Sequence, residues 1–257
     1  MNIQTVEFRR CFAWLGAGWY AFKSNLGAWL ALSIVFLLAV MLLGMLPFIG
    51  IPLIMLFVPL LLTGLLVTAH KSLTGSLAQV EDILLGFNDE RFRQPLLLLG
   101  GAMVVGTLFL LVMFYPLSWE LLKASYLPGS DTQANAVLLE VAETSPLGLL
   151  LQLGMAGVIL MAFFYATPLL VFEGLEPLDA IMTSLQACLK NAVPLGLFAI
   201  MVVGLAILAA FAFGLGYLVL IPVLTGASYA SFRDVFDPVE NANPPQEHRG
   251  QARVIGE

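Results

Sequence analysis

Long stretches of the chain contain no Asp, Glu, Lys, Arg or His. They cover about half of the 257 residues and are Leu26–Leu46, Phe48–Ala69, Pro95–Tyr115, Leu147–Phe172, Ala192–Phe213 and Leu215–Phe232. At about 1.5 Å of rise per helical residue, each is long enough to meet the roughly 30 Å hydrocarbon core of a bilayer. The pattern therefore predicts an all-α integral membrane protein with six transmembrane helices.

Three segments between these stretches are amphipathic. Their apolar residues recur every three or four positions, which places them on one face of a helix. The first segment has Phe8, Phe12, Leu15, Trp19 and Phe22, the second has Val80, Ile83, Leu84 and Phe87, and the third has Leu178, Ile181, Met182, Leu185 and Leu189. We expect three cytoplasmic helices that lie in the membrane interface with their apolar faces towards lipid.

Each amphipathic segment leads into a pair of spans, and this arrangement indicates an internal repeat. The second span of each pair contains a proline, namely Pro59, Pro168 and Pro222, and Thr63-Gly64 after the first is matched by Thr225-Gly226 after the third. We hypothesise three repeats, 1–72, 77–175 and 176–236, within a single transmembrane domain 1–236. Residues 116–146 form an inserted external loop, and the proline-containing tail 237–257 is expected to be disordered in the cytoplasm.

Composition and charge agree with this layout and set its orientation. The chain is 60% hydrophobic and 11% charged, against about half and a quarter in an ordinary soluble domain. All Lys and Arg residues except Lys123 lie on the side of the termini. Because cytoplasmic loops of membrane proteins are enriched in Lys and Arg, we expect both termini to be cytoplasmic.

The span prolines admit two interpretations. Each removes one backbone hydrogen bond, which neighbouring helices can re-satisfy. Pro59, Pro168 and Pro222 are therefore either static kinks, which we favour, or hinges beside an unwound ligand site, as in transporters. The densest polar point within a span is Tyr165-Ala166-Thr167-Pro168. Tyr165, Thr167 and Pro168 are accordingly the candidate ligand pocket.

Small residues at four-residue spacing mark candidate helix-packing faces. They are Ala206, Ala210 and Gly214 in one group, and Gly226 and Ala230 in another. Such spacing lets helix backbones approach closely. It serves packing within one bundle and association between copies equally well.

The sequence carries few of the groups that enzymes use. No ionisable residue lies well inside a predicted span, and no nucleophile elbow, Walker loop, HExxH motif or CxxC pair occurs. With only two cysteines and two histidines, at no ligand spacing, we expect no metal and no other cofactor. We also expect no catalytic activity and no nucleic-acid partner. The expected partners are membrane lipids and a membrane protein or a second copy of the chain.

Four motifs resemble a proteobacterial family of hypothetical transmembrane proteins. They are GWYAFKSN at 18–25, LPFIG at 46–50, EDILLGF at 81–87 and SYASFRDVF at 228–236. The resemblance covers residues 10–236 and implies a bacterial inner-membrane protein of about six helices, with no established activity. More distantly, the chain is similar to the membrane domain attached to some bacterial glycerophosphodiester phosphodiesterases. The phosphodiesterase domain itself has no counterpart here.

Two functional hypotheses follow. The first is a non-enzymatic scaffold or accessory protein that contacts lipid and a membrane partner through its small-residue faces and interfacial helices. The second is a carrier or flippase for a lipid or another largely apolar substrate, which the span prolines and the Tyr165–Pro168 cluster favour.

Overall fold

The computed structural model describes residues 3–76, 79–113, 146–211 and 214–236. The elements in these ranges are helices, in chain order α1 (Arg10–Ser24), α2 (Leu26–Gly44), α3 (Gly50–Thr74), a 3₁₀ helix (Val80–Leu84), α4 (Leu85–Asn88), α5 (Glu90–Met113), α6 (Pro146–Phe164), α7 (Ala166–Glu173), α8 (Pro177–Lys190), α9 (Ala192–Phe211) and α10 (Tyr217–Phe236). The all-α prediction is confirmed for this part of the chain. The expected external loop, apart from its last residue, and the expected disordered tail lie outside the described residues.

Five stretches of helix within the described ranges are long and apolar enough to cross a membrane. They are Leu26–Gly44, Gly50–Thr74, Glu90–Val112, Leu150–Glu173 and Ala192–Phe211. These spans indicate a multi-pass membrane protein. The sixth predicted stretch does form a helix, α10, but it is not among the five, because Arg233, Asp234 and several Ser and Tyr residues lower its hydropathy. Its role as a sixth span stays a prediction.

Two pairs of helices are joined by tight turns that depend on glycine. Gly50 begins α3 so close to α2 that a Cβ there would overlap the carbonyl of Leu43. In the other hairpin, Gly214 has a φ of 79°, a left-handed conformation that glycine adopts without strain. Gly216 lies directly on Ala209 of α9. These turns hold α2 against α3 and α9 against α10.

The three amphipathic segments are helical, and most of the large apolar side chains that we expected to face lipid lie outside the bundle, whereas Phe22 and Ile83 are buried in its core. We call α1, the 80–88 segment and α8 the connecting helices. The side buried in the bundle carries mainly small residues, such as Gly18 and Ala21 in α1 and Ala180, Ser184 and Ala187 in α8. Large apolar side chains remain outside: Phe12 is 64% exposed and Met182 is 53% exposed. The second connecting helix starts as a 3₁₀ helix rather than the expected regular α-helix.

Burial is concentrated at the end of the bundle where the connecting helices pack, which we call the junction end. Aromatic side chains from α3, α7 and α10 meet there. The ring of Phe172 lies 5.3 Å from that of Tyr229 and 5.9 Å from that of Phe232, and His70 lies 5.8 Å from Phe172. Towards the opposite end the spans expose large apolar residues, for example Val105 and Val112 of α5. The core of the described structure is therefore at the junction end.

Candidate functional site

The first helix is fixed at the junction end by contact with the last one. A Cβ placed on Gly18 of α1 would overlap the carbonyl oxygen of Val223 in α10, and one placed on Gly226 would lie 2.8 Å from the Cα of Gly18. Only glycine permits this approach, since it has no side chain to displace the facing backbone. The crossing therefore uses Gly226, one of the residues that we predicted to pack helices.

A second close crossing has the same construction. A Cβ on Gly86 would overlap the carbonyl of Leu60 in α3, and one on Gly64 would overlap the backbone at Ile83. Leu60 directly follows Pro59, just as Val223 directly follows Pro222. These two connecting helices thus lie on the carbonyl of the residue after a proline that we predicted to lie within a span: Val223 of the last predicted repeat for α1, and Leu60 of the first for the 80–88 segment.

The third connecting helix meets its span through a side chain. The hydroxyl of Ser184 in α8 accepts the amide N–H of Tyr165 at 2.9 Å and donates to the carbonyl of Met161 at 2.7 Å. These two backbone groups would bond each other in an unbroken helix. The inserted hydroxyl interrupts this ladder, and an insertion of this kind bends a helix. It separates α6 from α7 at Tyr165.

Two of the contacts between connecting helices and spans carry an ion pair. Asp234 of α10 accepts hydrogen bonds from the Arg10 Nε at 2.8 Å and from the Trp14 indole at 2.6 Å. The hydrogen bond to Asp234 raises the pKa of Arg10 above its ordinary value. At the other contact, Lys71 of α3 donates to Asp82 at 2.7 Å. Charge pairing therefore reinforces the glycine crossings.

Asp82 also shapes the connecting helix to which it belongs. Its second carboxylate oxygen accepts the Gln79 amide at 3.0 Å, which completes a capping box with the Gln79 side chain. The Asp82 side chain is only 7% exposed. One buried carboxylate thus holds both the tight start of the 80–88 segment and the end of α3.

The residues of the candidate ligand pocket lie in the packed core. Tyr165 is 1% exposed and Thr167 is 4% exposed, and Pro168 is buried in α7. The Tyr165 hydroxyl lies 3.2 Å from the Ser231 hydroxyl, which in turn donates to the Ser228 carbonyl at 2.8 Å. The polar atoms of Tyr165 are therefore engaged with other parts of the chain, and its role in ligand binding stays a prediction.

A second cluster of polar side chains lies between α3 and α10. The Nδ1 of His70 lies 2.6 Å from the Tyr229 hydroxyl, and Arg233 reaches the same hydroxyl at 3.5 Å. Nearby, the indole of Trp29 donates to Ser72 at 3.2 Å. The His70–Tyr229 contact joins α3 to α10 and the Trp29–Ser72 bond joins α2 to α3, so both align neighbouring helices, whereas Arg233 and Tyr229 belong to the same helix.

The remaining predicted residues occupy different settings. Pro59 and Pro222 are buried within α3 and α10. The carbonyl of Ala206 accepts a hydrogen bond from Tyr217 at 3.3 Å, and Gly214 lies in the α9–α10 turn. Ala210 is exposed on α9, and Ala230 is half-buried beside the small core cluster around Trp14. Of the first predicted group, Ala206 and Ala210 thus lie on α9 and Gly214 lies beyond its end, while both residues of the second group lie on α10.

Several residues that organise the junction end were not singled out from the sequence. Gly18, Gly86 and Ser184 are small residues on amphipathic helices, where apolar spacing drew attention to their large neighbours. The signal that could have found Gly86 is that it directly precedes the aromatic Phe87, as Gly18 directly precedes Trp19. Comparisons with protein-family models, curated proteins and solved structures find no match to this chain.

Proposed function

We propose that the chain is a six-span protein of the bacterial inner membrane, with both termini in the cytoplasm, that acts as a non-enzymatic scaffold. Its spans form three repeats joined in a ring, each connecting helix packing on the second span of the neighbouring repeat. The crossings of Gly18 on Val223 and of Gly86 on Leu60 support this arrangement. The resemblance to hypothetical inner-membrane proteins supports the location.

The observation that carries the scaffold proposal is that the connecting helices have two different faces. Their small residues face the bundle, while large apolar side chains such as Phe12, Leu84 and Leu178 are exposed. Exposed apolar residues on amphipathic helices of this kind contact lipid or another membrane protein. The buried polar side chains of Tyr165, Ser184 and Asp82 are engaged in holding helices together. The geometry is that of a rigid platform with an apolar outer belt.

One observation favours the second hypothesis, a carrier or flippase for a lipid. The span formed by α6 and α7 is broken at Tyr165, just before Pro168. Broken spans line the substrate sites of many transporters. In a carrier, this break would open into a cavity during the transport cycle.

Reconstitution separates the two hypotheses. The purified full chain is placed in liposomes that contain a fluorescently labelled phospholipid, and the exchange of label between leaflets is measured with a quencher added outside. If the protein is a scaffold, we expect the label to exchange between leaflets at the rate measured in empty liposomes. In native membranes we then expect a complex larger than the single chain, with a fixed stoichiometry by native mass spectrometry. Accelerated exchange that is lost on Tyr165→Phe would establish the carrier and overturn the scaffold.

A further inference from the structure

A groove of about 370 Å³ lies at the junction end, between the start of the chain and the bend from α8 to α9. Val6 and Phe8 form one wall, and Leu189 and Val193 form the other. Lys190 lies on the rim. Since Ala192 begins a membrane span, the groove opens at the level where that span enters the membrane.

The walls of the groove are fixed in place. Asn191 accepts the amide of Val6 at 2.9 Å and donates to the carbonyl of Gln4 at 2.9 Å. The amide of Gln4 donates to the carbonyl of Val235 at 2.9 Å. The first residues of the described chain are thus tied to the α8–α9 junction and to α10. The groove is part of the fold and does not depend on a loose terminal segment.

The apolar floor of the groove continues along the membrane span. Exposed apolar residues follow one another on the same face of α9, at spacings of three and four: Val193, Leu197, Ile200, Val203, Ile207 and Phe211. An acyl chain lying on this face would leave its head group at the groove. The stripe runs along most of the span, so it is at least as long as the hydrocarbon part of one leaflet is thick.

Lys190 is the charged residue among those that line the groove; the exposed Glu7 lies between Val6 and Phe8 in sequence but does not line it. Lys190 is exposed, and its ammonium uses one of its donors on the carbonyl of Ile3 at 2.5 Å, which leaves further donors for a ligand. The guanidinium of Arg9 lies 5.7 Å from the centre of the Phe8 ring, which places a second cation beside the groove. None of the residues that line it is acidic.

We infer that this groove is a binding site for one anionic phospholipid of the cytoplasmic leaflet. The phosphate contacts Lys190 and Arg9, and an acyl chain lies along Val193 and the exposed face of α9. The inference rests on the proposed membrane orientation and names one lipid partner of the proposed scaffold. Juxtamembrane Lys and Arg residues favour anionic head groups by attraction at the negatively charged leaflet surface.

The test is native mass spectrometry of the detergent-solubilised full chain, titrated with dioleoyl phosphatidylglycerol or with dioleoyl phosphatidylcholine. We expect one phosphatidylglycerol per chain to be retained in preference to phosphatidylcholine. Lys190→Gln lowers this occupancy about fivefold, the effect of one basic residue near the surface. Val193→Trp fills the groove without a change of charge and lowers the binding of both lipids.

Lys23→Gln is the matched control, because Lys23 also ends a connecting helix but does not line the groove. It leaves the occupancy unchanged. Equal retention of the two lipids, or equal loss in the Lys23 and Lys190 variants, would overturn the site. Loss of lipid on Tyr165→Phe but not on Lys190→Gln would also overturn it. If the site fails while the complex with a membrane partner persists, the scaffold proposal stands without it.

Discussion

Gly18 of α1 lies against the backbone carbonyl of Val223 in α10, although the two residues are close to opposite ends of the described chain. Gly18→Ala is therefore expected to force the helices apart and to destabilise the fold by about 1–3 kcal/mol, as overpacking does elsewhere. The melting temperature in detergent, measured by loss of the monodisperse peak after heating, falls by several degrees.

Gly16 provides the control for this substitution within the same helix. It is exposed, and a Cβ added there meets nothing within 4 Å. Gly16→Ala is expected to leave stability unchanged or to raise it by up to about 1 kcal/mol, because alanine has the higher helix propensity. An equal loss of stability in both variants would show that the contact with Val223 does not matter.

Ser184→Ala is expected to disturb the break at Tyr165. The substitution leaves the Tyr165 amide and the Met161 carbonyl without the hydroxyl that joins them, at a cost of about 1–3 kcal/mol. Hydrogen exchange followed by mass spectrometry should show faster exchange in peptides that contain Tyr165. Thr68→Val is the control, since the buried Thr68 hydroxyl only donates to a carbonyl of its own helix at 2.9 Å. Unchanged protection in Ser184→Ala would mean that α6 and α7 close into one helix.

Asp82→Asn is expected to be costly because this buried carboxylate serves both Lys71 and the Gln79 amide. Breaking this pair costs about 1–3 kcal/mol, less than for a fully buried pair, because the Lys71 side chain is 29% exposed and can still reach water. Asp89 is the matched control: it pairs with Arg91 at 2.7 Å, but this arginine is 80% exposed. Asp89→Asn should have no measurable effect on the melting temperature. Similar losses in the two variants would contradict the role given to Asp82.

Cys188 is expected to be an unreactive thiol. It is buried in α8, and burial raises its pKa to about 12, against a smaller lowering by a hydrogen bond with Ser184. An acid with a raised pKa stays neutral to higher pH, so thiolate is scarce between about pH 7 and 9. Maleimide labelling of Cys188 in a Cys11→Ala variant should stay slow over this range and accelerate in dodecyl sulfate. Fast labelling in the native protein that rises with pH would contradict the burial.

The proposed orientation is tested by single cysteines at Ser130 and Asn243 in a cysteine-free background. In intact cells an impermeant maleimide should label Ser130→Cys, because the proposal places that position outside. Asn243→Cys should be labelled only after lysis. Labelling of position 243 from outside would reverse the topology.

The long apolar stretches were sufficient to predict most helices, because burial in a membrane requires length and apolarity that few other structures need. The predicted stretch from 26 to 46, for example, contains α2 from Leu26 to Gly44. The kink expected at Pro168 indicated the span that breaks at Tyr165, since a proline disturbs the helical turn before it. The hydrogen bonds of Ser184 at this break could not be predicted in this way, because Ser184 belongs to another helix.

The connecting helices show a second limit of sequence patterns. Apolar spacing identified Phe12 and Trp19 as part of a face of α1 directed towards lipid, and both are exposed on the bundle. It did not identify the opposite face, through which the helix packs with Cys11, Trp14, Gly18 and Ala21, whereas Phe22 of the predicted face is buried. Close backbone approach is a property of two helices together, so hydrophobicity along one of them does not predict it.

The pairing of α1 with α10 has a consequence for biosynthesis. During translation, α1 emerges before every other helix described, yet the surface that covers Trp14 and Gly18 is the last one to be made. Until α10 follows, α1 can pack only on helices made earlier, such as α3 and α9, whose Phe198 lies 5.8 Å from the Trp14 ring. A nascent chain stalled before Tyr217 would therefore present the bare glycine face of α1 to the membrane insertion machinery and to quality-control proteases.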